Sequence, residues 1–240
     1  MTPEHAAAAT ASAVSGLSSK FMFDAATYAA GAELGFAGID FYFAGRGGVL
    51  GDVDADVVAA GFVFFNPTTV RAGWAASHGV MTRHEAAAAF ADCAMAWATA
   101  HLGDDVDWAR LASLAGTIAS AASPAAAPVF AGWRALPVPQ DPKHAAMHQM
   151  NALRELRNAR HGVAVVSCGI PVGDAVRHRS ALMTGIFGWD DGPIPDAVAA
   201  QWEEAEALTD HLLGLDYAAL DERERTELVD LADAAMASIV

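Results

Sequence analysis

Residues 147–162 read MHQMNALRELRNARHG and predict a helix that ends at Gly162. Arg154, Arg157 and His161 are spaced i, i+3 and i+7, so they share one side of about two helical turns. Two arginines and a histidine close together in a chain of formal net charge −15 require an explanation. They predict either a site for an anion, such as a ligand carboxylate or phosphate, or ion pairs with the chain's own acids.

The composition around this stretch favours helices. Hydrophobic residues make up 54% of the 240 and charged residues 18%, with alanine as the dominant apolar type. Such sequence packs as close helices more readily than as sheets, so we predict an all-α fold, or nearly so. We divide it into an N-terminal helical region, 1–140, and a second helical region, 141–240, packed as one compact unit.

The charge balance bears on partners and location. With 29 acidic against 14 basic residues and no run of Lys or Arg, general nucleic-acid binding is not expected. The N-terminus lacks the pattern of a secretory signal, and no stretch has the length and hydropathy of a membrane span. We therefore expect a soluble, cytoplasmic chain. Cys93 and Cys168 have no metal or redox spacing and are expected to be small buried hydrophobes.

A second stretch that can carry function surrounds an arginine between glycines. Gly45, Arg46, Gly47 and Gly48 predict a tight, irregular turn at which the backbone approaches something closely. Tyr42 lies one helical turn before Arg46, so the arginine is either functional or a capping residue at a helix end.

An asparagine begins the next candidate segment. Asn66 follows an apolar run and precedes Pro67. It either binds a ligand with its amide or caps a helix that starts at Pro67, and capping is the favoured interpretation.

Elsewhere the pattern predicts further helices and loops. Residues 123–142, which are rich in proline, are expected to form a surface loop. Residues 163–170 form either a short buried strand or a helix, and 163–184 include a helix-turn-helix. Two acidic amphipathic helices, 197–213 and 221–239, complete the chain.

Metal and cofactor chemistry has little support. His144 and His148 are spaced i, i+4, with Asn151 and Glu155 on the same stripe, but no second group of ligands is evident. A solvent-facing polar stripe is the favoured alternative, and we assign no metal and name no cofactor. The sequence has no Walker A motif, no dinucleotide-binding glycine motif and no nucleophile elbow. It therefore does not favour nucleotide binding or hydrolase chemistry.

Four segments together resemble a known family, the SalK-like actinobacterial family of helix-turn-helix type. They are FYFAGRGGVLGDVDADVVAAGFVFFNP at 41–67, HQMNALRELRNARHGVAVVSCGI at 148–170, GW at 188–189 and LTDHLLGLDYAAL at 208–220. The resemblance implies a mostly helical protein with a winged-helix-like C-terminal half and a regulatory label that rests on fold analogy.

The sequence departs from that family in two places. Only DDGPIPDAVAAQ, residues 190–201, separates Trp189 from Trp202, so the wing is missing or much shortened. A histidine that the family tends to carry is also absent, and Ser18 and Ser19 stand nearest to its place.

These observations predict a pocket between helices that binds a small anionic molecule. Arg46, Asn66, Arg154 and Arg157 are the predicted ligand-binding residues. If the protein is an enzyme, His161 is the general acid or base and Tyr42 a second proton donor. Whether the protein is an enzyme stays open.

Two other functions remain as alternatives. A transcription regulator would use the helix-turn-helix within 163–184, where Arg177, His178 and Arg179 form the only local basic cluster. A structural module would form a homodimer through the acidic C-terminal helices.

Overall fold

The computed structural model describes residues 1–240 and consists of helices without a β-strand. The only extended pairing is an isolated bridge between Leu102 and Ile239. The prediction of an all-α fold is therefore confirmed. The thirteen α-helices are α1 Pro3–Met22, α2 Ala25–Glu33, α3 Asp40–Gly47, α4 Ala55–Phe62, α5 Pro67–Ala76, α6 Arg83–His101, α7 Trp108–Ala121, α8 Pro128–Ala135, α9 Pro142–Ser167, α10 Val172–Arg179, α11 Ala181–Ile186, α12 Ala197–Tyr217 and α13 Glu222–Ala237.

Helix α9 is the central element of the fold, packed against α1, α6, α7, α8 and α12. Asp141 caps its start by accepting a hydrogen bond from the His144 backbone N–H at 3.0 Å, and Pro142 occupies the first turn. The predicted end at Gly162 is wrong, because the helix continues to Ser167. Its terminating glycine is Gly169, which has a positive φ of 75°.

Gly162 serves close packing instead of helix termination. A Cβ at this position would lie 2.6 Å from Cγ1 of Val63, so only glycine lets α9 approach the turn after α4 this closely. The alternatives left open for residues 163–170 are also resolved, since 163–167 belong to α9 and no strand forms.

The Gly-Arg segment is helical, so the predicted irregular turn is wrong. Helix α3 runs through Gly47 into a 3-10 helix, Gly48–Leu50, and Gly47 and Gly48 have ordinary helical φ angles of −83° and −60°. The predicted close approach does occur, and it is to helix α6. A Cβ on Gly45 would lie 2.5 Å from Cβ of Phe90, and one on Gly48 would overlap the carbonyl oxygen of Arg83.

The predicted loop at 123–142 contains a helix, α8. Pro128 occupies its first turn, where a missing N–H costs nothing, and Val129, Phe130 and Trp133 are buried on its inner face. The Trp133 indole N–H donates to the Arg46 carbonyl at 3.1 Å. The proline content thus marks the ends of a short helix, and only its flanks are irregular.

The buried side chains form two clusters. The main core has 47 residues and draws on both predicted regions, from Ala6 in α1 to Ala235 in α13. A small second core lies between the end of α9, α10 and α12 and contains Ala164, Val165, Ile170, Ala175, Val198 and Ala205. The second core gives α10 and its neighbours a packing centre of their own.

The C-terminal region has a helix-turn-helix but no wing. Helices α10 and α11 meet at Ser180, which caps α11, and residues 187–196 then run irregularly to α12. No β-hairpin is present, so the winged-helix-like expectation is corrected to a purely helical region. No helix in the structure combines the length and apolar character needed to cross a membrane.

Candidate ligand-binding site

A cavity of about 760 Å³ lies between α1, α9, α10, α11 and α12. The stripe of Arg154, Arg157 and His161 lines it together with Asn158 of the same helix. The helical spacing thus places these side chains on one surface, as the sequence predicts. Whether a ligand occupies that surface remains a prediction. The volume lies within the range of small-molecule sites, roughly 300–1,000 Å³.

Apolar and aromatic side chains also line the cavity. Phe23, Phe64, Phe187 and Trp202 contribute rings, and Met183 of α11 adds a thioether. The His161 ring lies between two of them, with centroids 5.4 Å from Phe64 and 5.0 Å from Trp202. An occupant therefore meets both guanidinium groups and aromatic rings, which suits an amphiphilic molecule.

A strained turn presents one of these rings. Val63 has a φ of +60°, which is a rare conformation for a β-branched residue. It turns the chain after α4, so that Phe64 lies at the cavity and its carbonyl accepts the Trp189 indole N–H at 2.8 Å. Strained backbone of this kind concentrates at functional sites.

Arg154 belongs to a cluster of charged side chains, two of which are buried. Its Nη1 donates to Oε1 of Glu155 at 2.6 Å, and Arg46 donates to the same carboxylate through Nε at 2.9 Å and Nη2 at 2.8 Å. Burial acts to raise the pKa of Glu155, but the two guanidinium charges and their hydrogen bonds outweigh it and hold the pKa below its usual range. Two cations thus share one anion, and Arg154 keeps unmatched charge at the cavity.

Arg157 is more fully matched by acids of the chain. Its Nη2 lies 3.0 Å from Glu206 Oε2, and its Nη1 lies 3.3 Å from Asp210 Oδ1. Both acids belong to α12, so for Arg157 the internal ion pairing that the sequence left open does occur. Its primary role in the structure is to join α9 to α12.

Two further residues that line the cavity have a polar group without a partner in the chain, one group buried and the other exposed to solvent. The side-chain nitrogen Nδ2 of Asn158 is buried and makes no hydrogen bond. The side chain of Arg179, at the end of α10, forms no ion pair and no hydrogen bond within the chain, although it lines the same cavity. A buried amide donor without an acceptor is costly in a folded protein, but this Nδ2 is shielded from the cavity as well as from solvent, so it does not by itself mark a ligand position.

The hydrogen bonds of His161 define its tautomer. The Thr209 hydroxyl donates to the Ala205 carbonyl at 2.6 Å, so its single hydrogen is used. Its oxygen lies 2.9 Å from His161 Nδ1, and therefore Nδ1 must carry the proton. The other nitrogen, Nε2, is left as an acceptor at the cavity, 3.9 Å from Glu206 Oε1.

His161 is also kept neutral by its surroundings. Burial, and then the charges of Arg157 and Arg179, lower its pKa to about 4, against the weaker opposing effect of Asp210. Between about pH 6.5 and pH 4, this histidine binds more protons in the unfolded chain, where its pKa is about 6.5, than in the folded protein. This group therefore lowers the stability of the fold as the pH falls through that window.

We expect NMR to show His161 neutral down to about pH 5, with its proton on Nδ1. The measurement is a pH titration of the imidazole nitrogen and carbon shifts. Thr209→Val is the matched variant, since it keeps the shape of the side chain and removes the acceptor; it should weaken the preference for the Nδ1–H tautomer. A midpoint near pH 6.5 in the wild type, or a proton on Nε2, would contradict this assignment.

Three predicted site residues do not reach the cavity. Tyr42 and Arg46 are 1% exposed in the main core, where Arg46 Nη1 donates to the Tyr42 hydroxyl at 3.1 Å. Tyr42 lies behind the cavity wall, because its ring stacks on Phe23 with centroids 5.5 Å apart. Asn66 caps α5 by accepting from the Thr68 backbone N–H at 2.9 Å, which confirms the favoured interpretation as a capping residue.

The histidine stripe at the start of α9 is largely buried. His148 and Asn151 are 3% and 1% exposed, so the predicted solvent-facing stripe is wrong for them, while His144 lies 2.8 Å from the Thr99 hydroxyl. Burial lowers the pKa of His148. No group of three His, Cys, Asp or Glu side chains is placed to hold a metal ion.

Several cavity residues were missed by the sequence reasoning. Asn158 could have been found, since it is i+4 from Arg154 and i−3 from His161 on the same helical face. Glu206 and Thr209 could not, because their position depends on how α12 packs against α9. Ser19 of α1, which lies near the expected place of the absent histidine, lines the cavity, as do other residues of the same helix.

Comparison with known proteins gives one family. No curated protein and no solved structure matches the chain. A family model described as a helix-turn-helix family matches residues 7–185, which is about three quarters of the 240 residues. The match begins in α1, includes all of α9 and ends within α11. The chain therefore belongs to this helix-turn-helix family.

Proposed function

We propose that this protein binds a small organic anion, a carboxylate or phosphate with an apolar body, in the cavity between α9, α10 and α12. The observation that carries the proposal is Arg154, whose guanidinium lines the cavity beside aromatic rings and shares its one carboxylate, that of Glu155, with Arg46. Arginine binds carboxylates and phosphates through a planar fork, and it does so best where water is partly excluded.

The charge around the cavity supports an anionic occupant. Arg154, Arg157 and Arg179 line the cavity and the buried Arg46 lies behind Arg154, and these four guanidinium groups are set against three carboxylates, those of Glu155, Glu206 and Asp210. This local excess of positive charge occurs in a chain whose formal net charge is −15. It attracts a ligand carboxylate or phosphate to this side of the cavity.

The geometry favours binding over acid–base catalysis. His161 presents a neutral acceptor, but Tyr42, the predicted second proton donor, lies in the core behind Phe23. No acid and base pair of the predicted kind therefore faces the cavity together. His161 is better placed to orient a ligand than to pass protons.

Arg154→Met should weaken binding of 3-phenylpropionate and of phenyl phosphate by about 10- to 100-fold. Hydrogen bonds to charged groups contribute roughly 1.5–3 kcal/mol, and Glu155 keeps Arg46 as its partner in the variant. Isothermal titration calorimetry checks this, with the uncharged 3-phenylpropanamide as the ligand control. Arg71→Met is the protein control, since Arg71 lies on the surface and pairs with Asp56.

The proposal fails if neither anion binds at millimolar concentration, or if both arginine variants change the affinity equally. The amide should bind more weakly than the acid to the wild type and about equally to Arg154→Met.

DNA binding is a second candidate function, and membership of a helix-turn-helix family favours it. The structure offers little basic surface for it. Arg177 donates to Asp174 at 2.6 Å and to the Asp190 carbonyl at 3.0 Å, and α11 is six residues long without a charged side chain. Micromolar binding to random duplex DNA with a steep salt dependence, measured by fluorescence anisotropy, would establish this candidate instead.

A further inference from the structure

We propose that the carboxylate ligand of this cavity is a zwitterionic amino acid with an apolar or aromatic body, recognised through its ammonium group as well as its carboxylate. This inference rests on the proposed function and names the ligand class. It follows from two acceptor atoms at the cavity, His161 Nε2 and Glu206 Oε1.

Neither acceptor has a hydrogen to give. Nε2 lacks a proton because Thr209 fixes the proton on Nδ1, and Glu206 Oε1 belongs to a carboxylate whose other oxygen accepts from Arg157. The two atoms lie 3.9 Å apart, too far for a hydrogen bond even if one were protonated. They form an acceptor pair in a cavity whose other polar residues are three arginines, which only donate, Asn158, and three serines of α1, which can donate or accept: Arg154, Arg157, Arg179, Ser12, Ser15 and Ser19.

An ammonium group satisfies this pair and a hydroxyl does not. A nitrogen placed about 2.9 Å from each acceptor spans the 3.9 Å separation, and its three hydrogens allow it to donate to both. A hydroxyl has one hydrogen and leaves one acceptor without a donor. The negative charge of Glu206 further favours a cation at this point.

The donors of α9 lie at a suitable distance for the carboxylate of the same molecule. Arg157 lies four residues before His161 and Arg154 seven residues before it on the same helical face, where neighbouring side chains are roughly 5–6 Å apart at Cβ. This is compatible with the short separation between the carboxylate and ammonium groups of an amino acid. The rings of Phe64, Phe187 and Trp202 then receive the apolar body.

Three ligands that differ in one group test the inference. L-phenylalanine, 3-phenyllactate and 3-phenylpropionate share a phenyl ring and a carboxylate and carry an ammonium, a hydroxyl or a hydrogen beside it. We expect calorimetry on the full chain to show L-phenylalanine binding at least about 10-fold tighter than 3-phenylpropionate, because an unfilled acceptor costs about 1–3 kcal/mol.

Glu206→Gln should remove most of this preference without weakening 3-phenylpropionate. Glu203→Gln, an exposed acid on the same helix that does not line the cavity, is the matched control and should keep the preference. Circular dichroism of both variants shows whether each remains folded.

The outcomes separate this inference from the proposed function. If 3-phenylpropionate binds as tightly as L-phenylalanine, or if 3-phenyllactate binds most tightly, the ammonium inference is wrong while anion binding stands. If phenyl phosphate binds and none of the three carboxylates does, the amino acid class is again excluded. If no anion binds at all, both fail.

Discussion

Glu155→Gln should lower the free energy of unfolding by about 3–5 kcal/mol, the largest effect of any single substitution considered for this chain. The Glu155 side chain is 0% exposed and accepts three hydrogen bonds, two from Arg46 and one from Arg154. Glutamine keeps the size of the side chain and removes its charge. Arg46, itself 1% exposed, is then a buried cation without a counter-charge.

Chemical denaturation followed by circular dichroism measures the loss. Glu206→Gln is the matched control, because Glu206 makes the same type of pair with Arg157 at a site where its side chain is 34% exposed, and its loss should stay near 1 kcal/mol or below. The double variant Arg46→Met with Glu155→Leu should recover much of the stability, since removing both charges avoids the unpaired one. A small loss in Glu155→Gln, or no recovery in the double variant, would contradict the assigned role.

Gly48→Ala should destabilise the fold by about 3 kcal/mol, although alanine is the better helix former by roughly 1 kcal/mol. The added methyl group would overlap the carbonyl oxygen of Arg83 at the start of α6. Because that atom belongs to the backbone, no side-chain rotation relieves the overlap, and α6 has to move away from α3. The loss is therefore steric and opposes the gain in helix propensity.

Gly185→Ala provides the control for this prediction. Gly185 also lies in a helix, α11, but a Cβ there meets no atom within 4 Å. Its substitution should leave the stability unchanged or raise it by up to about 1 kcal/mol. Equal denaturation midpoints for Gly48→Ala and Gly185→Ala would show that the close approach of α3 to α6 is not needed.

The features that the sequence predicted correctly depend on local geometry. Helical spacing alone places Arg154, Arg157 and His161 on one face. Capping chemistry alone marks Asn66 as the residue that precedes α5.

The features it missed depend on tertiary contacts. Gly162 resembles a helix end, yet its neighbour Val63, distant in sequence, makes it a packing position inside α9. Tyr42 and Arg46 looked like site residues because aromatic and cationic groups often line pockets, but aromatic packing with Phe23 and pairing with Glu155 place them in the core. The aromatic wall comes from four separate segments, and no local pattern brings those together.

The position of the cavity between the two hydrophobic clusters affects how the fold holds together. The 47-residue core lies on one side, and on the other lies the six-residue cluster, to which α10 contributes only Ala175 and α11 contributes no residue. Few buried contacts mean a low free energy of local opening, so the helix-turn-helix is the part of the chain that separates most easily from the rest. A molecule in the cavity contacts both clusters at once and therefore raises the protection of amide hydrogens in α10 and α11 against exchange. On the proposed function, a bound ligand would add to the packing that joins the helix-turn-helix to the body of the protein.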